Sequence, residues 1–289
     1  MNKGTAQPVQ EISGDGQMSI SERLTYLFRN TMRNLSPKPQ TIHAEPYNPD
    51  FISDDMAVAS PSRALTLSFL DQQIQSILPV GNIRILDVGC GSGFISDLLA
   101  NTGYKGVYTG IDIGDRFRDR FAYPESFERT FINADAHTFT STALYDLIFS
   151  FSALEHIPND AQLIQHLSSV LKNGGNHLHI VPGGWGLPLY LWHGFRQYSL
   201  GDIENRFGAK NLKVYALGGL FSFLLHFTFI TVLEMLLRLP ARKWFRRFYM
   251  LLHRACLRLD RIAPIAPAAY VVCKTNVLEK NRLQNRQLR

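Results

Sequence analysis

Short apolar runs and helical apolar stripes alternate along this chain. Ile83 to Val88 is a run of strand length that ends at Asp87 and a cluster of glycines. Further runs follow at Val107 to Ile113, Thr130 to Asn133, Tyr145 to Ser152, His177 to Val181, Leu212 to Leu217 and Ala268 to Lys274. Between them the apolar period changes to that of a helix. Ala64, Leu67, Leu70, Ile74 and Ile77 share one side from Ser62 up to Pro79 and Gly81, and Phe94, Ile95, Leu98 and Leu99 share another up to Gly103. Asn159 or Asp160 opens a third helix through Leu163, Leu167, Val170 and Leu171, stopped by Gly174 and Gly175, and Ser199 to Phe207 predicts a fourth. Asp87 and Asp112 stand 25 positions apart, the length of one strand-helix-strand unit with parallel strands.

Two regions depart from this alternation. At the N-terminal end, 1–17 is polar and reads as disordered, and 20–34 predicts a short helix capped by Ser19 or Ser21 with Leu24, Leu27 and Phe28 on one side. Pro37, Pro39, Pro46 and Pro49 then break the chain into an extended arm, read either as a lid over a ligand or as a loose tail. The second region lies between the last two runs. Leu220 to Leu237 approaches the length of a membrane span but contains Ser222, His226, Thr228, Thr231 and Glu234, and one crossing would strand the final run on the far side. From Lys243 to Ile262 one helix is predicted, with Trp244, Phe245, Phe248, Leu251, Leu252, Ala255, Cys256, Leu259 and Ile262 on one side. Arg246, Arg247, Arg254, Arg258 and Arg261 fall opposite, with Met250 and Leu257 as exceptions. Such a helix suits an interface with anionic lipid, or packs its apolar side on its own domain or a second subunit.

The glycine cluster carries the chemistry. After Asp87 the glycines fall at alternate positions, Gly89, Gly91 and Gly93, opening a loop whose main-chain N–H groups a ligand can approach without a Cβ in the way. A dinucleotide fingerprint needs its last glycine one position later, where Phe94 stands. Asp87 would repel a pyrophosphate, yet it can accept a hydrogen bond from an ammonium group. Asp112, closing the second run, offers two acceptor oxygens to a pair of ribose hydroxyls.

These residues resemble the class I S-adenosylmethionine (SAM) dependent methyltransferases, whose first motif is an acidic residue followed by Gly-x-Gly-x-Gly. Asp146, Glu155-His156-Ile157-Pro158 and Lys172-Asn173-Gly174-Gly175 extend the likeness to the broad "type 11" group, over about 62–182. The resemblance implies an α/β fold, a Rossmann-like seven-stranded sheet of order 3-2-1-4-5-7-6 with helices on both faces. It also implies that Asp135 accepts from an adenine amino group while the Ala136 N–H meets the ring. The candidate cofactor contacts are Asp87, Gly89, Cys90, Gly91, Gly93, Asp112, Ile113, Asp135, Ala136 and Ser150. The family joins its last two strands by a modest turn, whereas some 50 residues intervene here. The expected organisation is an arm over 1–61, a SAM-binding core over 62–217, a helical insertion over 218–267, the last core strand over 268–275 and a basic tail over 276–289.

Composition sharpens the choice of partner. Hydrophobic residues make up 45% and charged residues 19% of 289, which fits a globular chain. The net charge of +6 is unevenly spread: 238–289 holds 13 Lys and Arg against two Asp and Glu, a net of +11, and the rest carries −5. That asymmetry points to an anionic surface. Nucleic acid is disfavoured, because the aromatics of 243–262 lie away from the arginines and Ser152-Ala153-Leu154-Glu155 replaces the motif of base-methylating enzymes. Cys90, Cys256 and Cys273 lack the spacing of a disulfide framework or a zinc site, no metal is implied, and a reducing cytosol fits. The polar N-terminus is unlike a signal peptide. The expected location is cytoplasmic, with peripheral attachment to the cytoplasmic face of a membrane as a variant of it.

Methyl transfer from a sulfonium requires alignment and exclusion of water, and a hydroxyl acceptor gains from a base. His156 heads the candidates, with its neighbour Glu155, and His193 follows the fifth run; Trp185, Tyr190 and Trp192 stand ready to wall an acceptor pocket. The leading expectation is O-methylation of a lipid-linked or membrane-proximal acceptor of quinone or lipid-carried glycan type. The rivals are a soluble small-molecule methyltransferase whose insertion is a lid or dimer interface, and a non-catalytic SAM-binding or membrane-adaptor protein.

Overall fold

The structure is a computed structural model, and it describes residues 12–36, 38–78, 81–101, 104–119 and 127–277. Its strands are β1 (Ala44–Tyr47), β2 (Asn82–Val88), β3 (Lys105–Asp112), β4 (Phe127–Asn133), β5 (Tyr145–Phe151), β6 (Leu171–Pro182), β7 (Leu212–Leu217) and β8 (Ala269–Thr275). They form one sheet of order β1-β7-β8-β6-β5-β2-β3-β4. Only β8 runs antiparallel, to both β6 and β7. Without β1 this is the expected seven-stranded order. The eighth strand is a correction to the extended arm: β1 pairs in parallel with β7 at the sheet edge. Pro46 disguises it in the sequence, since proline suits only a strand with an unpaired edge.

The helices are α1 (Ile20–Leu35), α2 (Asp54–Ala57), α3 (Pro61–Ile77), α4 (Phe94–Asn101), α5 (Asp160–Ser168), α6 (Gly186–Tyr190), α7 (Leu200–Phe207), α8 (Leu220–Leu225), α9 (Ala241–Trp244) and α10 (Arg246–Leu259). Between α8 and α9, His226–Leu236 is wound as a π-helix. Alternate strand residues feed two cores. Ile83, Ile85, Leu147 and Phe149 meet Phe69 and Leu70 of α3, and Ile95 and Leu99 of α4. Leu86, Val88, Ile148 and Val272 meet Leu163 and Leu167 of α5, and Ile203 and Phe207 of α7. The middle of a sheet buried on both faces is expected to be apolar, as Ile85-Leu86 and Leu147-Ile148-Phe149 are.

Other boundaries shift for local reasons. The third predicted helix ends at Ser168, and β6 starts at Leu171 and runs through Gly174 and Gly175, with an irregular register against β5 between Tyr145 and Leu147. Gly174, at φ +79°, absorbs that irregularity. The predicted 243–262 helix is broken at Phe245 into α9 and α10. Residues 1–11 of the polar N-terminal segment and 278–289 of the basic tail lie outside the described residues. Within 12–17 the chain is not loose: Gly14 donates its N–H to Gly194 O at 2.7 Å.

α1 and α10 are amphipathic helices placed the unusual way round. Ser19 and Glu22 form a capping box at the start of α1, as Ser19 predicts. The helix then packs through Tyr26 and Asn30, while Ile20, Leu24, Phe28 and Leu35, one row at helical spacing, face out with Phe28 67% exposed. α10 buries Tyr249, His253, Cys256 and Leu257 and exposes Phe248, Leu251 and Leu259. Tyr249 donates to Ala59 O at 2.9 Å and His253 to Ala57 O at 3.0 Å, so polar ring atoms dock the helix. Of the expected apolar side, only Cys256 is fully buried.

Candidate active site

β2 delivers Asp87 and Val88 to a loop whose three glycines have φ of +73°, +53° and +74°, a region costly for any residue with a Cβ. Gly89 and Cys90 both donate to Ile111 O, at 2.8 and 3.1 Å, which ties the loop to the end of β3. A Cβ on Gly89 would lie 2.5 Å from Ala153 Cβ, whereas one on Gly91 would meet only Arg116 Nη2, at 4.0 Å. Asp112 braces the loop from across the gap: one carboxylate oxygen accepts from Gly91 N–H at 2.8 Å, the other from Gly114 N–H at 2.7 Å. Alongside opens a cavity of about 580 Å³, lined by Gly89, Asp112, Ile113, Asp135, Ala136, Ser152, Ala153 and His156 among others.

Of the predicted cofactor residues, Gly89, Asp112, Ile113, Asp135 and Ala136 line this cavity, and Gly91 and Gly93 shape the loop beside it. Asp87 lies beneath. Tyr108 Oη donates to its Oδ2 at 2.5 Å and its Oδ1 is buried without a partner. Burial pushes its carboxyl up to about 7; the Tyr108 bond opposes this and the charge of Asp112 adds to it. Three carboxylates at successive strand ends, one with an orphaned oxygen, fit a cationic nucleoside and reject a pyrophosphate. The Cys90 thiol is buried against Gly110, and burial raises its pKa far above the usual range. Ser150 is a correction: it is fully buried, hydrogen-bonded to His179 Nδ1 at 2.7 Å, and does not line the cavity. Alternation along β5 turns it into the α5–α7 layer, and Ser152, at φ +46°, reaches the cavity instead.

The three candidate acceptor-side residues come together. Glu155 is fully buried, its Oε1 lying 3.5 Å from His193 Nε2 and 3.9 Å from His156 Nε2, and the two imidazoles meet edge to face at 4.5 Å. Burial would lower the His193 pKa, but the Glu155 carboxylate outweighs it, with Asp15 adding to the effect, and holds it above the ordinary value. Gly194 at φ +63° permits this approach, since a Cβ there would lie 2.7 Å from Glu155 O. A second cavity, about 200 Å³, is lined by Ser62, Arg63, Phe151, Ser152, Tyr190 and His193 among others. Ser152 lines both cavities, so the second one adjoins the first at the loop after β5. Of the predicted aromatic wall, Tyr190 lines this cavity and is hydrogen-bonded to Ser62 at 2.5 Å. Trp185 lines a groove against α1, and Trp192 stacks under Arg23 at 4.9 Å.

Sequence reasoning missed Asp15. Its Oδ2 accepts from His156 Nδ1 at 2.7 Å and its Oδ1 from Gly194 N–H at 3.1 Å, so the segment before α1 straps the two histidine-bearing loops together. Burial would raise its pKa, and the bonds from His156, Gly194 and Ser13, together with the His156 charge, more than offset that and hold it below the ordinary value. A lone aspartate in a polar stretch gives no periodic signal. Asp15, His156 and His193 offer donor atoms within 4.8 Å of one another, a spacing that one divalent ion can bridge, although His156 is already bonded to Asp15.

Comparison with known proteins agrees with this geometry. A family model described as a methyltransferase domain matches residues 25–217, well over half of the chain, and the chain belongs to that family. The ubiquinone biosynthesis O-methyltransferase of Shewanella pealeana is 34% identical over 116 residues, 38% of this chain and 47% of that protein. Its counterpart in Hydrogenovibrio crunogenus is 32% identical over 141 residues, 47% of this chain and 52% of that protein. The chain thus spans about half the length of the curated relatives it matches. A putative sarcosine dimethylglycine methyltransferase from Galdieria sulphuraria shares the fold, with a TM-score of 0.50 at 14% identity over 74% of this chain and 86% of that one.

Proposed function

We propose that this protein is a SAM-dependent methyltransferase acting on a hydroxyl of a quinone-type acceptor that is lipid-linked and met at a membrane surface. The observation that carries the reading is the cradle around Asp112. Its carboxylate holds the Gly91 and Gly114 amides at the mouth of a cavity beside three left-handed glycines. SAM, when bound, supplies an electrophilic methyl carbon. The residues that would hold it are the 89–93 loop, Asp112, Asp135 and Ala136, with Ile113 and Ala153 as apolar walls. The curated relatives named for ubiquinone biosynthesis support the acceptor class.

The chain's own part is to seat the acceptor and move one proton. The acceptor hydroxyl enters the smaller cavity beside His193, whose imidazole takes the proton as the oxygen attacks. Buried Glu155 then stabilises the imidazolium across 3.5 Å. Tyr190, bonded to Ser62, and Phe151 position the ring, and the Asp15 strap keeps His156 and the Gly194 loop in place. Calorimetry with SAM and its demethylated product tests the cradle. Incubating the purified protein and methyl-labelled SAM with membranes and with soluble extract from cells lacking the protein tests the acceptor, label in the lipid fraction being the expected result. Absence of SAM binding would refute the whole reading; label confined to water-soluble products would refute the lipid-linked acceptor.

A further inference from the structure

We propose that α1 and the helical insertion form one docking face that seats in the headgroup layer of an anionic bilayer. The wedge is the outward apolar row of each helix. On α1 it is Ile20, Leu24, Phe28 and Leu35; on the insertion it is Phe248, Leu251 and Leu259, continued by Ile262, which is 81% exposed. A large solvent-facing apolar row is rarely left uncovered on a soluble monomer.

The two rows are joined. Leu35 and Trp185 line the same groove, Trp185 meets Phe223 edge to face at 5.7 Å, and Phe223 stacks with Phe227 at 6.2 Å. Two residues further, on the other side of the π-helix, Phe229 lies 6.5 Å from Phe248 of α10 and packs with Phe221 and Leu252 around Tyr249 and Cys256. A chain of packed contacts therefore links α1, through Trp185, α8 and the π-helix, to α10. Both helices are docked to the core by their other sides: α1 by Tyr26, whose hydroxyl donates to His193 O at 2.8 Å, and α10 by Tyr249 and His253. Turning either row inward would break those bonds.

Charge identifies the occupant. Arg238, Lys243, Arg246, Arg247 and Arg258 are exposed along the insertion, and among the described residues no carboxylate pairs with them. Arg254 and Arg261 are instead paired with Asp54 and Asp50. A second copy of this chain would bring two such arginine rows together, which like-charge repulsion opposes. Anionic headgroups neutralise them while the acyl boundary takes the apolar row, the geometry of an interfacial helix. Among the described residues no helix is long and apolar enough to cross a membrane, so the contact is one of lying on the surface.

This face deepens the lipid-borne reading of the acceptor, and its test needs neither acceptor nor catalysis. The full chain is floated with vesicles of phosphatidylcholine alone or with one-third phosphatidylglycerol, at low and high salt. Binding to the anionic vesicles that weakens with salt is expected. Arg246→Ala with Arg247→Ala should weaken it about 25-fold, roughly five-fold per basic contact. Leu24→Glu with Phe28→Glu on α1, and Phe248→Glu with Leu251→Glu on α10, should each weaken it at least about ten-fold. Affinity for the demethylated product of SAM stays unchanged in all three, which certifies folding. No binding to anionic vesicles overturns the proposal, as does an α1 variant that binds like the parent. So do apolar variants that only convert a dimer to a monomer.

Discussion

α3 and α10 make an instructive pair, because both carry many apolar residues and use them in opposite directions. α3 spreads its apolar residues over several sides and turns them inward against the sheet and its neighbours, burying Leu65, Phe69, Leu70 and Ile74. α10 has its apolar residues gathered on one side, the pattern that ordinarily marks the face turned to a core, and that side faces out. A one-sided helix in a sequence declares that it has a wet side and a dry side, and leaves open what makes the dry side dry.

The comparison can be broken by substitution. The largest expected effect is Phe69→Ala, which should cost about 3–5 kcal/mol in denaturant unfolding, whereas Phe248→Ala should stay within about 0.5 kcal/mol. Equal losses would mean that α10 is part of the core after all. Next comes Asp112→Ala, which removes the carboxylate from two loop amides and should weaken binding of the demethylated product of SAM about 10- to 100-fold by calorimetry, with stability little changed.

A smaller effect concerns how the segment after α1 is held. Asp202 is reached by Lys38 at 2.6 Å and by Arg33 at 3.7 Å; burial would raise its carboxyl, but the bonds from Lys38 and Ser199 hold it at about 2, below its ordinary 3.8. A depressed carboxylate stabilises the fold fully above its unfolded pKa, and that contribution is lost as pH falls from about 4 to about 2. After allowance for screening it amounts to about 1–2 kcal/mol. Asp202→Asn should flatten the acid limb of the unfolding curve by that amount; an unchanged limb would mean that Lys38 and Ser199 do not hold the carboxylate in its charged form. Last is a shift without a large loss. Because Glu155 raises the His193 pKa, kcat/KM should climb with pH through a limb above the ordinary histidine value, and Glu155→Gln should move that limb to lower pH.

The sequence was most legible where one residue type has one physical use. Glycines at alternate positions after an apolar run with an aspartate are hard to read otherwise, and Gly89, Asp112 and Asp135 line the cavity while Gly91 and Gly93 shape the loop beside it. β7 was predicted at its observed bounds because Leu212 to Leu217 is short, apolar and cleanly flanked. β1 was hidden, since four residues containing a proline carry no strand signal and only β7 makes them one. Asp15 was invisible for a similar reason, its partners lying far along the chain at His156 and Gly194. Ser150 was misplaced because a strand-end serine reads the same whichever way the pleat turns it.

The eighth strand also sets an order of events. β1 rests on β7, which pairs with β8, and β8 spans residues 269 to 275. During synthesis β1 therefore emerges well before β7 and β8 and waits for them before its edge exists. Asp15 takes its place over the histidines only after residue 194 has been made. A segment made before residue 20 is thus held by partners made long after it, so the cavity gains its strap late in folding.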